Sequence, residues 1–212
     1  EQINSTSNVA AHTDTGGIAG ISDGKIYYCS NSGAIGYQHV GYNTGGIVGR
    51  LHQGYLQNCT NTGFVQGRKD VGGIVGQNSG VVINCGNDAS VNTTVNQNEV
   101  DLSELTLNDL IGTESATNIT DIGGIAGTSS GIIRACLNRG AVGYQHIGYN
   151  IGGIVGSQTG YIEGCVNYGA VYARKEGGGI VGQMEPSSTL LYSQDTLQEL
   201  ADELDVLQTL VN

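Results

Sequence analysis

Apolar residues recur along this chain in clusters of two or three, separated by Gly, Asn and Ser. A Gly-Gly-Ile-Val-Gly-like pentapeptide begins at Gly16, Gly45, Gly72, Gly123, Gly152 and Gly178. Its centres are Ile18, Ile47, Ile74, Ile125, Ile154 and Ile180. A second apolar set, each two residues after a Gly, is Ile26, Leu56, Val82, Ile133 and Ile162; a third is Ile35, Val65, Val91, Val142 and Val171. Between them falls a Cys with an Asn two residues on: Cys29 and Asn31, Cys59 and Asn61, Cys85 and Asn87, Cys136 and Asn138, Cys165 and Asn167. Short β-branched runs punctuated by Gly and Asn read as strands and turns. No repeat carries apolar residues at helical spacing.

The pentapeptides are 29, 27, 51, 29 and 26 residues apart, so the 51 is one repeat carrying an insertion. A fixed period of this length means stacked repeats. Three strands and three turns in about 27 residues make one coil of a parallel β-solenoid, whose apolar face is buried only when neighbours stack ~4.8 Å apart. The expected fold is therefore all-β, a parallel β-solenoid (β-helix) of about five three-stranded coils. Equivalent residues should stack in ladders: Ile on Ile, Cys on Cys, Asn on Asn. The ladder asparagines are expected at turns in the left-handed conformation, bonded to the Asn above and below. The 36 glycines suit corners at positive φ, and the single Pro suits strands that cannot lose a donor.

The boundaries follow. Residues 1–15 read as a partial N-terminal coil or cap, and 16–186 as solenoid repeats with an insertion at 92–120. Within the insertion, 101–112 suits a short amphipathic helix. After Pro186, Leu197, Leu200, Leu204, Leu207 and Val211 step by 3, 4, 3 and 4. That spacing predicts a C-terminal amphipathic α-helix over 187–212, either a cap on the last coil or the start of a self-associating stalk through 190–212. Glu1 stands where a Met would begin a gene product, so a piece of a longer protein is expected.

A coarser duplication sets 16–76 against 123–182. GYQHVGYNTGGIVG answers GYQHIGYNIGGIVG, and GRKDVGGIVGQ answers ARKEGGGIVGQ. The true unit is thus a pair of unlike coils.

The net charge of −11 is concentrated in two places. Residues 93–121 hold six acids and no base, and the tail beyond 187 holds five more, leaving eight acids against eight bases elsewhere. A near-neutral rod argues against a nucleic-acid or anionic-membrane partner. There is no apolar run long enough to insert in a bilayer. Five cysteines in one frame do not make a disulfide framework, and none has a His or second Cys at ligand spacing. They read as small buried hydrophobes, reduced, which suits a reducing or anaerobic setting.

The repeated GGIVG…G-x-I-x-x-C-x-N-x-G-x-V, over 16–91 and 122–182, resembles the GLUG motif. That motif is found in bacterial surface proteins, including adhesin-like proteins of gut Firmicutes. This chain departs from it by having Ile-Val or Ile-Ala where the name implies Leu. The resemblance implies a cell-surface or secreted location, in an anaerobic bacterium. It implies glycans or host or bacterial surface proteins as partners, and carries over no catalytic residue.

The residues themselves offer little chemistry. No HExxH, GxSxG or phosphate loop is present. Among the acids assigned to the repeats, Asp14, Asp23, Asp70, Asp88, Glu163, Glu176 and Glu185, none pairs with another at the same position of consecutive coils. Neither a catalytic residue, a metal ligand nor a cofactor is expected, so the expectation is a non-enzyme. Twin loops remain as the candidate site. Tyr37, Gln38, His39, Tyr42 and Asn43 recur as Tyr144, Gln145, His146, Tyr149 and Asn150; Arg68, Lys69 and Asp70 recur as Arg174, Lys175 and Glu176. Both loops precede a pentapeptide and should share one edge of the rod. Aromatic faces with planar polar groups suit sugars or peptide backbones. The same residues could instead lock neighbouring coils, with an acid paired to a basic neighbour. The resulting expectation is a spacer with an adhesive or ligand-binding surface. A carbohydrate-active β-helix enzyme and a purely structural scaffold are the alternatives.

Overall fold

The computed structural model of the chain describes residues 13–37, 40–94, 120–144 and 148–185. All its strands are short and pair in parallel with the equivalent strand one repeat away. The first sheet stacks Thr13–Gly16, Tyr42–Gly45, Lys69–Gly72, Thr120–Gly123, Tyr149–Gly152 and Lys175–Gly178. A second six-stranded sheet stacks Ala19–Ser22, Val48–Leu51, Val75–Asn78, Ala126–Ser129, Val155–Gln158 and Val181–Met184. The third sheet runs from Lys25–Tyr27 to Tyr161–Glu163, and the fourth from Ser30–Asn31 to Val166–Asn167, with five strands each. A column of single bridges, Ile35, Val65, Val91, Val142 and Val171, closes each coil. The described residues form a β-solenoid of five coils and part of a sixth, about 24 Å long at the usual strand spacing.

Each coil therefore has four strands and a bridge rather than three strands. The pentapeptide is the reason: it is a corner, not a strand. The first strand ends on its first Gly and the second begins after its Ile, as at Gly45 and Val48. No pentapeptide glycine is left-handed; close approach, not positive φ, requires nearly all of them. A Cβ on Gly73 would collide with the Gly124 carbonyl and the Asn87 side chain. The left-handed non-glycine residues lie elsewhere, all but Asn92 in two columns. One is Asp14, Asn43, Asp70, Asp121, Asn150 and Glu176, two residues before each Gly-Gly; the other is Tyr28, Asn58, Asn84 and Ala135, just before the Cys, where the fifth coil has Gly164. The ladder asparagines sit in extended strands, not at left-handed turns, so that part of the expectation is corrected.

The asparagine ladder itself is continuous. Nδ2 of Asn31, Asn61, Asn87 and Asn138 each donates to Oδ1 of the next Asn at 2.8–2.9 Å. The same nitrogen donates to a carbonyl two residues on, as Asn61 does to Gly63 at 2.8 Å. Fully buried amides are tolerated because each polar atom is used. On one side lies a core of Ile47, Val48, Leu56, Ile74, Val82, Ile125, Ile133 and Ile154 with the cysteines. A smaller core joins Val71, Ile122 and Ile151 of the first sheet to Val65, Val91 and Val142 of the bridge column. All five thiols are free; Cys59, Cys85 and Cys136 are buried, while Cys29 and Cys165 at the ladder ends are half-buried. The helices expected over 101–112 and 187–212, and the N-terminal part-coil over 1–12, lie outside the described residues.

Candidate functional site

The twin loops meet on one edge of the rod. Tyr42 is in register with Lys69, and Tyr149 with Lys175, through strands of the first sheet. The full column reads Thr13, Tyr42, Lys69, Thr120, Tyr149, Lys175. Backbone bonds fasten one loop to the other: the Arg68 and Arg174 amides donate to Gly41 and Gly148 carbonyls at 2.9 and 3.0 Å. These bonds use main-chain atoms, so they hold the loops whatever the side chains do. Tyr37 pairs with Val40 in a small antiparallel bridge, Tyr144 is exposed, and the side chains of Arg174, Lys175 and Glu176 face solvent. Lys175 pairs with its own neighbour Glu176 at 3.2 Å. Gln38, His39, Gln145 and His146 lie outside the described residues.

Asn43, Asp70, Asn150 and Glu176 belong to something the sequence reading missed, the left-handed column of the first sheet. Asp and Asn suit this position because their short polar side chains tolerate positive φ. No side chain can stand opposite: a Cβ on Gly127 would collide with the Asp70 backbone. Consecutive coils therefore stack their acidic and amide groups. Asn43 donates to Asp14, and Asn150 to Asp121, both at 2.8 Å. Arg50, one coil on, grips Asp14 through Nε at 2.9 Å and Nη2 at 2.6 Å. Burial raises the Asp14 carboxyl pKa, but the Arg50 guanidinium and Asn43 outweigh it and hold the carboxyl below its ordinary range.

Asp70 and Asp121 stand next to each other in this column, in adjacent coils and in register. The expectation that no two acids share a position in consecutive coils is thereby overturned. That expectation leaves Asp121 in the acidic run 93–121 instead of among the repeats, because the length of the insertion hides its place two residues before Gly123. Asp70 and Asp121 are 9% and 7% exposed. Burial, then the Asp121 charge, push the Asp70 carboxyl up to about 6, with Lys69 opposing. Lys69 Nζ lies 3.9 Å from Asp121 Oδ2. No side chain among the described residues holds the Asp70 carboxylate as Arg50 and Asn43 hold Asp14. The Thr128 hydroxyl stands near enough to favour its ionised form, yet Thr128 Oγ1 is itself buried without a hydrogen-bond partner. Together with Gln77, Ser129 and Ser157 these groups line an open cleft of about 340 Å³. Among the described residues no three His, Cys, Asp or Glu side chains converge as a metal cage would need. No protein-family model, curated protein or solved structure matches the chain.

Proposed function

We propose that the chain is a non-catalytic repeat module of a bacterial cell-surface protein, serving as a spacer with a ligand-binding edge. The observation that carries this reading is the use of side chains along the rod. Outside the cleft of Asp70 and Thr128, and apart from Gln158, the polar groups at repeated positions are largely spent on stacking one coil on the next: the asparagine ladder, the Asn43–Asp14 and Asn150–Asp121 bonds and the Arg50–Asp14 pair. Such ladders stiffen a rod without supplying a nucleophile or a proton relay. Of the twin-loop side chains, Lys69, Tyr144, Arg174 and Lys175 are exposed and Tyr42, Arg68 and Tyr149 half-buried, and the two sets lie three coils apart on one edge. A glycan or a surface protein with several equivalent contacts fits that spacing. The bacterial-surface location rests on the resemblance to GLUG repeats.

A carbohydrate-active enzyme is the second reading, favoured by Asp70 and Asp121. Two carboxyls on neighbouring strands, one with a raised pKa, could divide the roles of acid and nucleophile. A binding screen against glycans and surface proteins tests the first reading, run with the native chain and with Arg68, Arg174, His39 and His146 replaced by Ala. Lost binding at an unchanged melting temperature supports a recognition edge. A lowered melting temperature without any ligand supports an inter-coil lock and a purely structural scaffold. Polysaccharide turnover that disappears in Asp70→Asn would replace both by the enzyme.

A further inference from the structure

The left-handed column shows how this fold satisfies a lone buried carboxylate. At Asp14 the next coil supplies an amide, Asn43, and a guanidinium, Arg50. The equivalent positions one coil beyond Asp70 are Asp121 in place of Asn43, and Thr128 in place of Arg50. Beyond Asp121 the Arg50 position holds Ser157. Where the carboxylate of the first coil meets a guanidinium from the second, the carboxylates of the third and fourth coils meet small hydroxyls from the fourth and fifth, and Asp121 alone has an amide, that of Asn150. The place an arginine would fill is the open cleft of about 340 Å³. The Thr128 hydroxyl there is buried without a hydrogen-bond partner, and the nine-tenths-buried Asp70 carboxylate has only that hydroxyl and the Lys69 charge to favour its ionised form.

We propose that this cleft binds the guanidinium of an arginine side chain belonging to another polypeptide, seated against Asp70 and Asp121 as Arg50 is seated against Asp14. Charge favours a single positive group. Two carboxylates against Lys69 leave one negative charge, which one guanidinium cancels, whereas a divalent ion would stand beside the Lys69 ammonium with a net positive surplus. Shape favours it too. A planar fork of five donors suits two stacked carboxylates with the Thr128 and Ser157 hydroxyls around them. The cleft would take arginine whether or not the rod serves as a spacer.

The test is titration of the isotope-labelled chain, at pH 7.5 and low salt, with N-acetyl-arginine amide. N-acetyl-citrulline amide, which keeps the shape and loses the charge, and Ca²⁺ are the comparison arms. Saturable amide shifts confined to Asp70, Asp121, Thr128 and Ser157 are expected. The arginine probe should bind at least tenfold more tightly than citrulline, and Asp70→Asn and Asp121→Asn should each weaken it at least tenfold. Thr128→Arg should abolish binding by filling the cleft from within, and should raise the melting temperature. If that variant does not fold, the two Asp→Asn variants still decide. Equal binding of citrulline, binding unaffected by both Asp→Asn changes, or displacement of the probe by equimolar Ca²⁺ would each overturn the proposal. A turnover or glycan result bears on the functional reading and leaves this one untouched.

Discussion

Single side chains show where the repeat is under electrostatic or polar stress. Asp70 binds protons more tightly folded than unfolded, because burial and Asp121 raise its pKa to about 6. The folded state therefore holds more protons than the unfolded state between about pH 4 and 6. Its contribution is favourable below that window and is lost as pH rises through it. Asp70→Asn should accordingly stabilise the chain at pH 7.5 by about 1–3 kcal/mol and do little at pH 3.5. Melting curves at the two pH values check this; equal effects at both would mean the carboxyl is not perturbed. Gln158 is stressed differently. It is fully buried with neither amide atom bonded among the described residues, and it occupies the column that holds Leu51 in the second coil. An unsatisfied buried amide costs about 1–3 kcal/mol. Gln158→Leu, which keeps the volume and removes the polar atoms, should raise stability by a similar amount in denaturant titration. A loss instead would mean the amide has partners that the described residues do not include.

At the scale of the element, the pentapeptide corner is the feature on which every coil depends. In each full coil the second Gly of the pentapeptide meets the Asn of that coil: Gly46 meets Asn61, Gly73 meets Asn87 and Gly124 meets Asn138. The corner and the asparagine ladder are thus one packing unit, and neither residue type can change alone. Gly179 occupies the same position in the last partial coil, yet a Cβ there meets nothing within 4 Å. Gly73→Ala should cost at least about 3 kcal/mol, while Gly179→Ala should stay within about 0.5 kcal/mol. Measuring both by chemical denaturation separates steric exclusion from glycine's backbone entropy, since entropy alone would make the two alike. This pairing also marks what could be read in the sequence. The recurrence of Gly-Gly, Cys and Asn gave away the coil, the ladders and the parallel stacking, because identical residues at a fixed period must meet. The extra corner did not declare itself, since a Gly-Gly step before a β-branched pair reads equally well as a strand. The carboxylate pair was legible in principle: Asp14, Asn43, Asp70, Asp121, Asn150 and Glu176 all lie two residues before a Gly-Gly. The cleft beside it was not, because it depends on which residue one coil away fails to reach across.

The whole molecule behaves as a one-dimensional stack, in which each coil is held by its neighbours. Burial along the rod is graded accordingly. Ile47, Ile74, Ile125 and Ile154 are fully buried, whereas Ile18 is 46% exposed in the first coil and Ile180 39% in the last. Among the described residues an end coil has one neighbouring coil and a central coil two, so opening should begin at the ends and cost more toward the middle. The cysteine ladder places one reporter thiol at the same frame position of every full coil, which makes the gradient measurable. Cys29 and Cys165 are half-buried at the ladder ends; Cys59, Cys85 and Cys136 are sealed within it. Under native conditions a thiol reagent should modify Cys29 and Cys165 first, then Cys59, and Cys85 and Cys136 last, with all five reacting at once in denaturant. Mass mapping of the labelled peptides over time gives the order. Each sealed thiol should slow by at least about tenfold relative to its outer neighbour if one more coil interface, of about 1.4 kcal/mol or more, must open to free it. Should Cys85 react as fast as Cys29, the coils open together, and the rod is one cooperative domain rather than a stack of separable turns.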